Sequence, residues 1–169
     1  QTRSVGLLLS GPTTTHPRLT ERFAEPVRMR VERLQSTLDS VLCVAHDPAA
    51  LGLGLQQLQT QGRELLLVAG ISAISDHNDV IPQALTLAGG SVAHFGLPVD
   101  PGSLTMVGYL GDTPVIGAPS CIQSAKTNVI DLLLPRLLAG ERLTRADLVS
   151  LGHGGLLEDI PERPMPRDG

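Results

Sequence analysis

Two aspartates follow apolar, strand-like segments of the chain. Asp47 lies two positions after the end of the segment 40–45, and Asp79 follows the segment 65–69 after a short polar loop. Because parallel strands end at the same edge of a sheet, we expect both carboxylates at one edge, where ligands of α/β proteins usually bind. Two carboxylates there could hold Mg²⁺ together with a phosphorylated ligand. A second interpretation is that both aspartates are helix N-caps, since a helical pattern follows each.

Three loops of similar composition follow apolar segments. The first lies within 67–82 and carries Asp76, His77 and Asn78, whereas the others are VDPGS at 99–103 and GAPSC at 117–121. Glycine and proline let a backbone approach a ligand closely, although each loop alone is also compatible with ordinary turn chemistry. Three such loops after strand-like segments together indicate a ligand-binding site at one edge of the sheet.

Other motifs in the chain do not support their usual functions. In GISAI at 70–74, Ile74 replaces the second glycine of a nucleophile elbow, so Ser72 is not predicted to be a nucleophile. GLGLQQ at 52–57 lies in a helical stretch and lacks the third glycine of a dinucleotide-binding motif. His153 lies among three glycines, which predicts a mobile segment rather than a catalytic base.

Composition restricts the class of protein. A chain of 169 residues with 41% hydrophobic residues is long enough for one domain with a substantial core. The net charge of −4, with one Tyr, two Phe and no Trp, makes nucleic-acid binding a poor interpretation. No apolar run approaches the roughly 20 residues of a membrane span, so we expect no membrane partner and a cytoplasmic location. The two cysteines suggest neither a disulfide framework nor a zinc site.

The order of elements predicts the fold class. Strands are expected at 5–10, 40–45, 65–69 and 91–95, a hairpin over 104–116, and helices from Pro26, over 48–59, 79–88, 124–138 and 145–151. In the first helix, Arg28, Arg30 and Arg33 are placed away from the buried face. This alternation predicts an α/β three-layer sandwich whose mostly parallel sheet includes an antiparallel β-hairpin. We expect one domain over 1–151 and a Gly/Pro-rich tail or linker over 152–169.

Several of these segments together resemble the molybdopterin-binding fold of molybdenum-cofactor biosynthesis proteins. DVIP at 79–82 is similar to the acidic loop of that family, VDPGSL at 99–104 to its Pro-Gly loop, and GAPSC at 117–121 to a later glycine-rich loop. The strings AGISAISDHNDVIPQAL and GHGGLLEDIPERPMPR resemble a subfamily in which this domain precedes a nucleotidyltransferase domain. The resemblance implies a homo-oligomer, a pterin ligand and, as a partner, a nucleotidyltransferase domain in the same or another chain.

The resemblance also implies a set of ligand contacts. Backbone N–H groups of 70–72 and 119–121 and the polar side chains of Asp76 and Asn78 would bind molybdopterin or the molybdenum cofactor, and Asp47 and Asp79 would hold Mg²⁺ if a nucleotide is involved. The implied ligand-binding residues are Ser10, Gly11, Gly70, Ser72, Asp76, Asn78, Asp79, Pro101, Gly102, Pro119, Ser120 and Cys121.

Three functions are compatible with these residues. The first is a cofactor-binding domain, the second an active Mg-ATP-dependent molybdopterin adenylyltransferase or molybdate-inserting enzyme, and the third a structural or oligomerisation domain with a degenerate site. Ser103 stands where active members carry a lysine that contacts an anionic ligand, and Ser120-Cys121 replaces a Gly-Asn pair. These replacements favour binding over catalysis.

Overall fold

The computed structural model describes residues 2–11, 17–70 and 74–157. Its strands are β1 (Ser4–Ser10), β2 (Thr37–Val44), β3 (Leu65–Gly70), β4 (Ser91–Phe95), β5 (Met106–Leu110) and β6 (Thr113–Gly117). Its α-helices are α1 (Pro17–Arg33), α2 (Pro48–Thr60), α3 (Val80–Leu87), α4 (Val129–Leu138) and α5 (Arg145–Ser150), and a short 3₁₀ helix spans Ser120–Gln123. None of the helices in these ranges has the length and apolarity that crossing a bilayer requires.

The six strands form one sheet in the order β2-β1-β3-β6-β5-β4. Strands β2, β1, β3 and β6 run parallel, whereas β5 is antiparallel to both of its neighbours. The β5–β6 hairpin turns at Gly111-Asp112, where Gly111 has a φ of 59° that a side chain would disfavour. The predicted mostly parallel sheet with an antiparallel hairpin is therefore confirmed.

Two hydrophobic clusters, one on each face of the sheet, make the fold a three-layer sandwich. On one face, Leu7 and Leu67 pack with residues of α1 and α4, such as Val27 and Leu133. On the other face, Leu8 and its neighbours pack with α2 and α3. Successive residues of a strand point to opposite faces, so the apolar runs in β1 and β3 supply both clusters.

The glycines of GLGLQQ have a packing role in α2. A Cβ on Gly54 would lie 2.8 Å from Cδ1 of Leu8, and a Cβ on Gly52 would lie 3.2 Å from the carbonyl oxygen of Ala84. The missing side chains therefore allow α2 to lie directly against β1 and α3. This close packing explains a glycine pattern that only partly resembles a nucleotide-binding motif.

Two predicted helix starts are wrong. Helix α1 begins at Pro17, and Pro26 lies inside it, because either proline could occupy the first helical position and the sequence pattern favoured the later one. Helix α4 begins at Val129 rather than at residue 124, because Asn128 and Asp131 form a capping box there. Residues 120–123 form the 3₁₀ helix instead.

The structure describes only part of the predicted tail. Residues 152–157 pack against the loop after β4: the N–H of Asp100 donates to the carbonyl of Gly155 at 2.7 Å, and the N–H of Leu157 donates to the carbonyl of Asp100 at 2.9 Å. Residues 158–169 lie outside the described ranges. The domain boundary at 151 stays a prediction.

Candidate functional site

The carboxyl ends of β1, β2 and β3 form one row at the edge of the sheet. Ser10 lies beside Val44 on one side and beside Gly70 on the other, and the N–H of Gly11 donates to the carbonyl of Val44 at 3.0 Å. Strand β6 continues the row, since the N–H of Ala118 donates to the carbonyl of Val68 at 2.8 Å. The loops predicted to bind a ligand thus leave the sheet at the same edge.

Two of the predicted loops line a common cavity. Its volume is about 150 Å³, and its walls are Gly102, Ser103, Leu104, Pro119, Ser120 and Cys121. The neighbouring Pro101 is fixed to α4, because its carbonyl accepts a hydrogen bond from the N–H of Val129 at 3.1 Å. Both loops are predicted from the sequence to contact a ligand, and the structure brings them together around one cavity.

The Gly102 position requires a glycine. Its φ is 122°, which side chains rarely adopt, and an added Cβ would lie 2.7 Å from Cβ of Val129. The Gly102 carbonyl also accepts a hydrogen bond from the Thr105 hydroxyl at 2.7 Å, and Thr105 is fully buried. The cavity wall that begins at Gly102 is therefore fixed by its close approach to Val129 and by its hydrogen bond with Thr105.

Cys121 is half-buried in the opposite wall. Burial raises the pKa of its thiol, with a smaller opposing effect from its own backbone and from the nearby Arg30 guanidinium. The neutral thiol is consequently favoured near pH 7. In this state Cys121 is a soft, polarisable thiol rather than a thiolate nucleophile.

The loop 75–79 is organised around the Asp79 carboxylate. Its Oδ2 accepts hydrogen bonds from the Ser75 N–H, from the Ser75 hydroxyl at 2.8 Å and from the Asp76 N–H at 3.2 Å. Asp76 in turn accepts from the N–H of Asn78 at 2.5 Å. Asp79 occupies the N-cap position of α3 as predicted, but its side chain makes no hydrogen bond to that helix. Ser72 lies outside the described residues.

Asp47 caps α2 as predicted. Its Oδ1 accepts a hydrogen bond from the N–H of Ala50 at 2.9 Å, and Pro48 follows at the first helical turn. Within the described ranges, no group of three or more His, Cys, Asp or Glu side chains could hold a metal ion.

His46 belongs to this edge and was missed from the sequence. Its Nδ1 lies 2.8 Å from Oγ of the buried Ser10. The signal available was its position immediately before Asp47, in the loop between β2 and α2. His46 thus links the end of β1 to the loop that follows β2.

A larger cavity lies at the opposite edge. Its volume is about 290 Å³, and Arg3, Glu64 and Tyr109 are among its lining residues. The Arg142 guanidinium lies 4.0 Å from the centre of the Tyr109 ring, and Arg3 donates to Glu64 at 2.6 Å. These charges pair within the chain. The smaller cavity is the better candidate site because it lies at the carboxyl ends of the strands.

Replacing Asp47 separates the effect of its cap hydrogen bond from that of its carboxylate charge. Asp47→Ala removes the cap acceptor and should lower the free energy of unfolding by about 1 kcal/mol, whereas Asp47→Asn retains an acceptor and should lower it by a few tenths. Urea denaturation of both variants measures the difference. Equal losses in the two variants would show that the carboxylate charge, and not the cap bond, stabilises this helix start.

The hydrogen bonds that organise the loop around Asp79 should be lost at acid pH. The Ser75 N–H, followed by the Ser75 hydroxyl and the Asp76 N–H, holds the pKa of Asp79 below its ordinary value. A carboxyl whose pKa is lower when folded contributes stability above its unfolded pKa, and this contribution is lost as the pH falls through the folded pKa. NMR titration should show the Ser75 and Asp76 amide shifts moving at a pH below about 3.9, the usual Asp pKa. Asp79→Asn should abolish that transition, and a midpoint above the usual value would contradict the geometry.

Comparisons with known proteins agree with this fold. A scan against protein-family models finds no match, and a search of curated proteins finds no significant sequence similarity. Solved structures do match: the molybdopterin biosynthesis protein MoeA from Pyrococcus horikosii has a TM-score of 0.57 at 16% identity over 82% of this chain. Molybdenum cofactor biosynthesis protein B has a TM-score of 0.58 at 13% identity, with 82% of this chain and 95% of that chain covered.

A third match is CinA from Thermoplasma acidophilum, a protein described as of unknown function, with a TM-score of 0.54 at 11% identity over 83% of this chain and 99% of that one. This chain spans only 35% of the MoeA chain. At these identities the likeness concerns the fold. The chain therefore shares the α/β fold of molybdopterin and molybdenum-cofactor biosynthesis proteins.

Proposed function

We propose that this chain binds molybdopterin or the molybdenum cofactor and acts in the biosynthesis or handling of that cofactor. The observation that carries the proposal is the cavity of about 150 Å³ between the loops 102–104 and 119–121, at the carboxyl edge of the sheet. Proteins whose names state molybdopterin or molybdenum-cofactor biosynthesis share the fold, which supports a pterin as the ligand class.

The residues around the cavity suit a phosphorylated pterin. The exposed hydroxyls of Ser103 and Ser120 can donate to phosphate or pterin oxygens, and the Cys121 thiol offers a soft contact to the dithiolene sulfurs. Gly70, Asp76 and Asn78 would supply further polar contacts from the neighbouring loop. In this arrangement neutral hydroxyls and backbone N–H groups, rather than a lysine, bind the phosphate.

An active enzyme is the second candidate. Asp47 and Asp79 both follow strand ends at this edge of the sheet, and two carboxylates plus phosphate oxygens are a suitable donor set for Mg²⁺. With a nucleotide bound, Mg²⁺ would neutralise phosphate charge. Incubation with Mg-ATP and molybdopterin, followed by mass spectrometry, distinguishes the two: an adenylylated product indicates an enzyme, and its absence a binding domain.

We also infer two kinds of protein partner. The chain would form a homo-oligomer and would present its ligand to a nucleotidyltransferase domain, in the same or another polypeptide. Light scattering after size-exclusion chromatography tests the first inference, since a mass of 17.8 kDa would be a monomer. The third candidate, a structural domain with a degenerate site, is disfavoured by the open cavity between the two loops.

Filling the cavity tests the proposed site. Ser120 is exposed in the cavity wall, so Ser120→Phe should occupy the space with little effect on folding. We expect calorimetric titration with metal-free molybdopterin to show binding by the wild type and at least a roughly tenfold weaker affinity for this variant. Thr60→Phe, an exposed substitution at the end of α2, is the matched control and should bind normally. Equal affinity in Ser120→Phe would reject the site, and no binding by the wild type would reject the function.

A further inference from the structure

The side chain of Arg30 is buried against the segment that follows the cavity wall. Arg30 lies in α1 and is only 6% exposed, although the sequence pattern placed it on a polar face. Its Nη2 donates to the carbonyls of Ser124 at 2.8 Å and Lys126 at 2.9 Å, and its Nη1 lies 3.4 Å from the carbonyl of Ile122. One guanidinium therefore contacts three carbonyls of the stretch between β6 and α4.

Asp131 connects the guanidinium to the cavity wall through Asn128. Its Oδ1 accepts from Nε of Arg30 at 3.0 Å, and its Oδ2 accepts from the N–H of Asn128 at 2.9 Å. Asn128, which is 1% exposed, donates from Nδ2 to the carbonyl of Cys121 at 3.1 Å. Two consecutive carbonyls, those of Cys121 and Ile122, are thus held by this network.

Such a network fixes a segment that has little regular structure of its own. Backbone carbonyls left without donors are costly when buried, and a buried guanidinium is costly unless its N–H groups are paired. Here the guanidinium N–H groups and the backbone carbonyls form hydrogen bonds with each other. The planar fork of arginine directs several donors at fixed angles, which the single ammonium group of lysine cannot reproduce.

We propose that Arg30 is a positioning residue. It holds the segment 119–126, which includes the cavity wall 119–121, in the conformation that accepts a ligand before the ligand binds. As far as the ligand is concerned, this inference rests on the proposed function. The preformed wall would spare the ligand the entropy cost of ordering the loop. Arg30 itself does not line the cavity, so its effect on a ligand would pass through the backbone of the segment that it holds.

The test uses the full chain with three variants. Arg30→Lys keeps the charge but removes the fork, Asp131→Asn weakens the connection to Asn128, and Arg33→Lys is the matched control on the exposed face of the same helix. The measurements are hydrogen exchange of the 120–127 amides, alkylation of Cys121 by iodoacetamide followed peptide by peptide, and titration with metal-free molybdopterin. Cys43 on β2 is the internal control for alkylation.

In Arg30→Lys we expect exchange over 120–127 and Cys121 alkylation to be about tenfold faster, with β1 and β3 amides and Cys43 unchanged. Affinity for molybdopterin should fall about tenfold, and Arg33→Lys should match the wild type. Asp131→Asn should show the same local loosening to a smaller degree, which keeps the test valid if Arg30→Lys folds poorly. Unchanged exchange over 120–127 in both variants would overturn the inference. A wild type that binds no molybdopterin would reject the proposed function, while the exchange and alkylation results would still decide the role of Arg30.

Discussion

Gly102→Ala is expected to destabilise the protein markedly and to abolish ligand binding. The substitution combines two penalties: a φ of 122° that costs a side chain about 1–2 kcal/mol, and a Cβ forced against Val129 at the start of α4. Relief of the overlap would displace either the loop or the helix start, and overpacking typically costs a further 1–3 kcal/mol or so. Urea denaturation and titration with molybdopterin measure the two consequences.

Gly62→Ala is the matched control for Gly102→Ala. Gly62 also has a positive φ, 79°, but an added Cβ there would meet no atom within 4 Å. This variant should therefore lose only the backbone contribution, about 1–2 kcal/mol, and should bind ligand normally. Equal destabilisation of the two variants would show that the contact with Val129 does not constrain the cavity wall.

Leu67→Ala is expected to cause a large loss of stability. Leu67 is fully buried on β3, which lies between β1 and β6 near the middle of the sheet. Truncating a buried leucine loses transfer free energy and leaves a cavity, so we expect the free energy of unfolding to fall by about 2–5 kcal/mol. Chemical denaturation followed by circular dichroism measures this change.

Leu53→Ala is the matched control for the leucine truncation. Leu53 is 68% exposed on α2, so the same chemical change should alter the free energy of unfolding by no more than about 0.5 kcal/mol. Similar losses for the two leucines would mean that β3 does not form the centre of the core.

The fold could be predicted from sequence because its central elements have strong local signals. The apolar run of β3 was expected over 65–69 and spans Leu65–Gly70, and β4 was expected and found over Ser91–Phe95. Short apolar runs alternating with helical patterns specify a largely parallel sheet with two covered faces. The loops of the candidate site follow predicted strands, whose ends are marked by glycine and proline in the sequence.

The remaining features depend on contacts distant in sequence. Arg30 has the same helical spacing as an exposed arginine, and only the carbonyls of 122–126, more than 90 residues away, explain its burial. The bond between Ser10 and His46 likewise joins two different strand ends. Local patterns do not specify such pairings.

Hydrogen exchange with and without metal-free molybdopterin tests the central claim most directly. The site at the carboxyl edge predicts slower exchange over 100–104 and 119–123 when the ligand is present, and no change in the hairpin turn at 110–113. The turn belongs to the opposite edge, where the larger cavity of about 290 Å³ lies. Protection confined to the 119–123 and 100–104 segments would support the account. Protection at the opposite edge, or at neither edge, would contradict it.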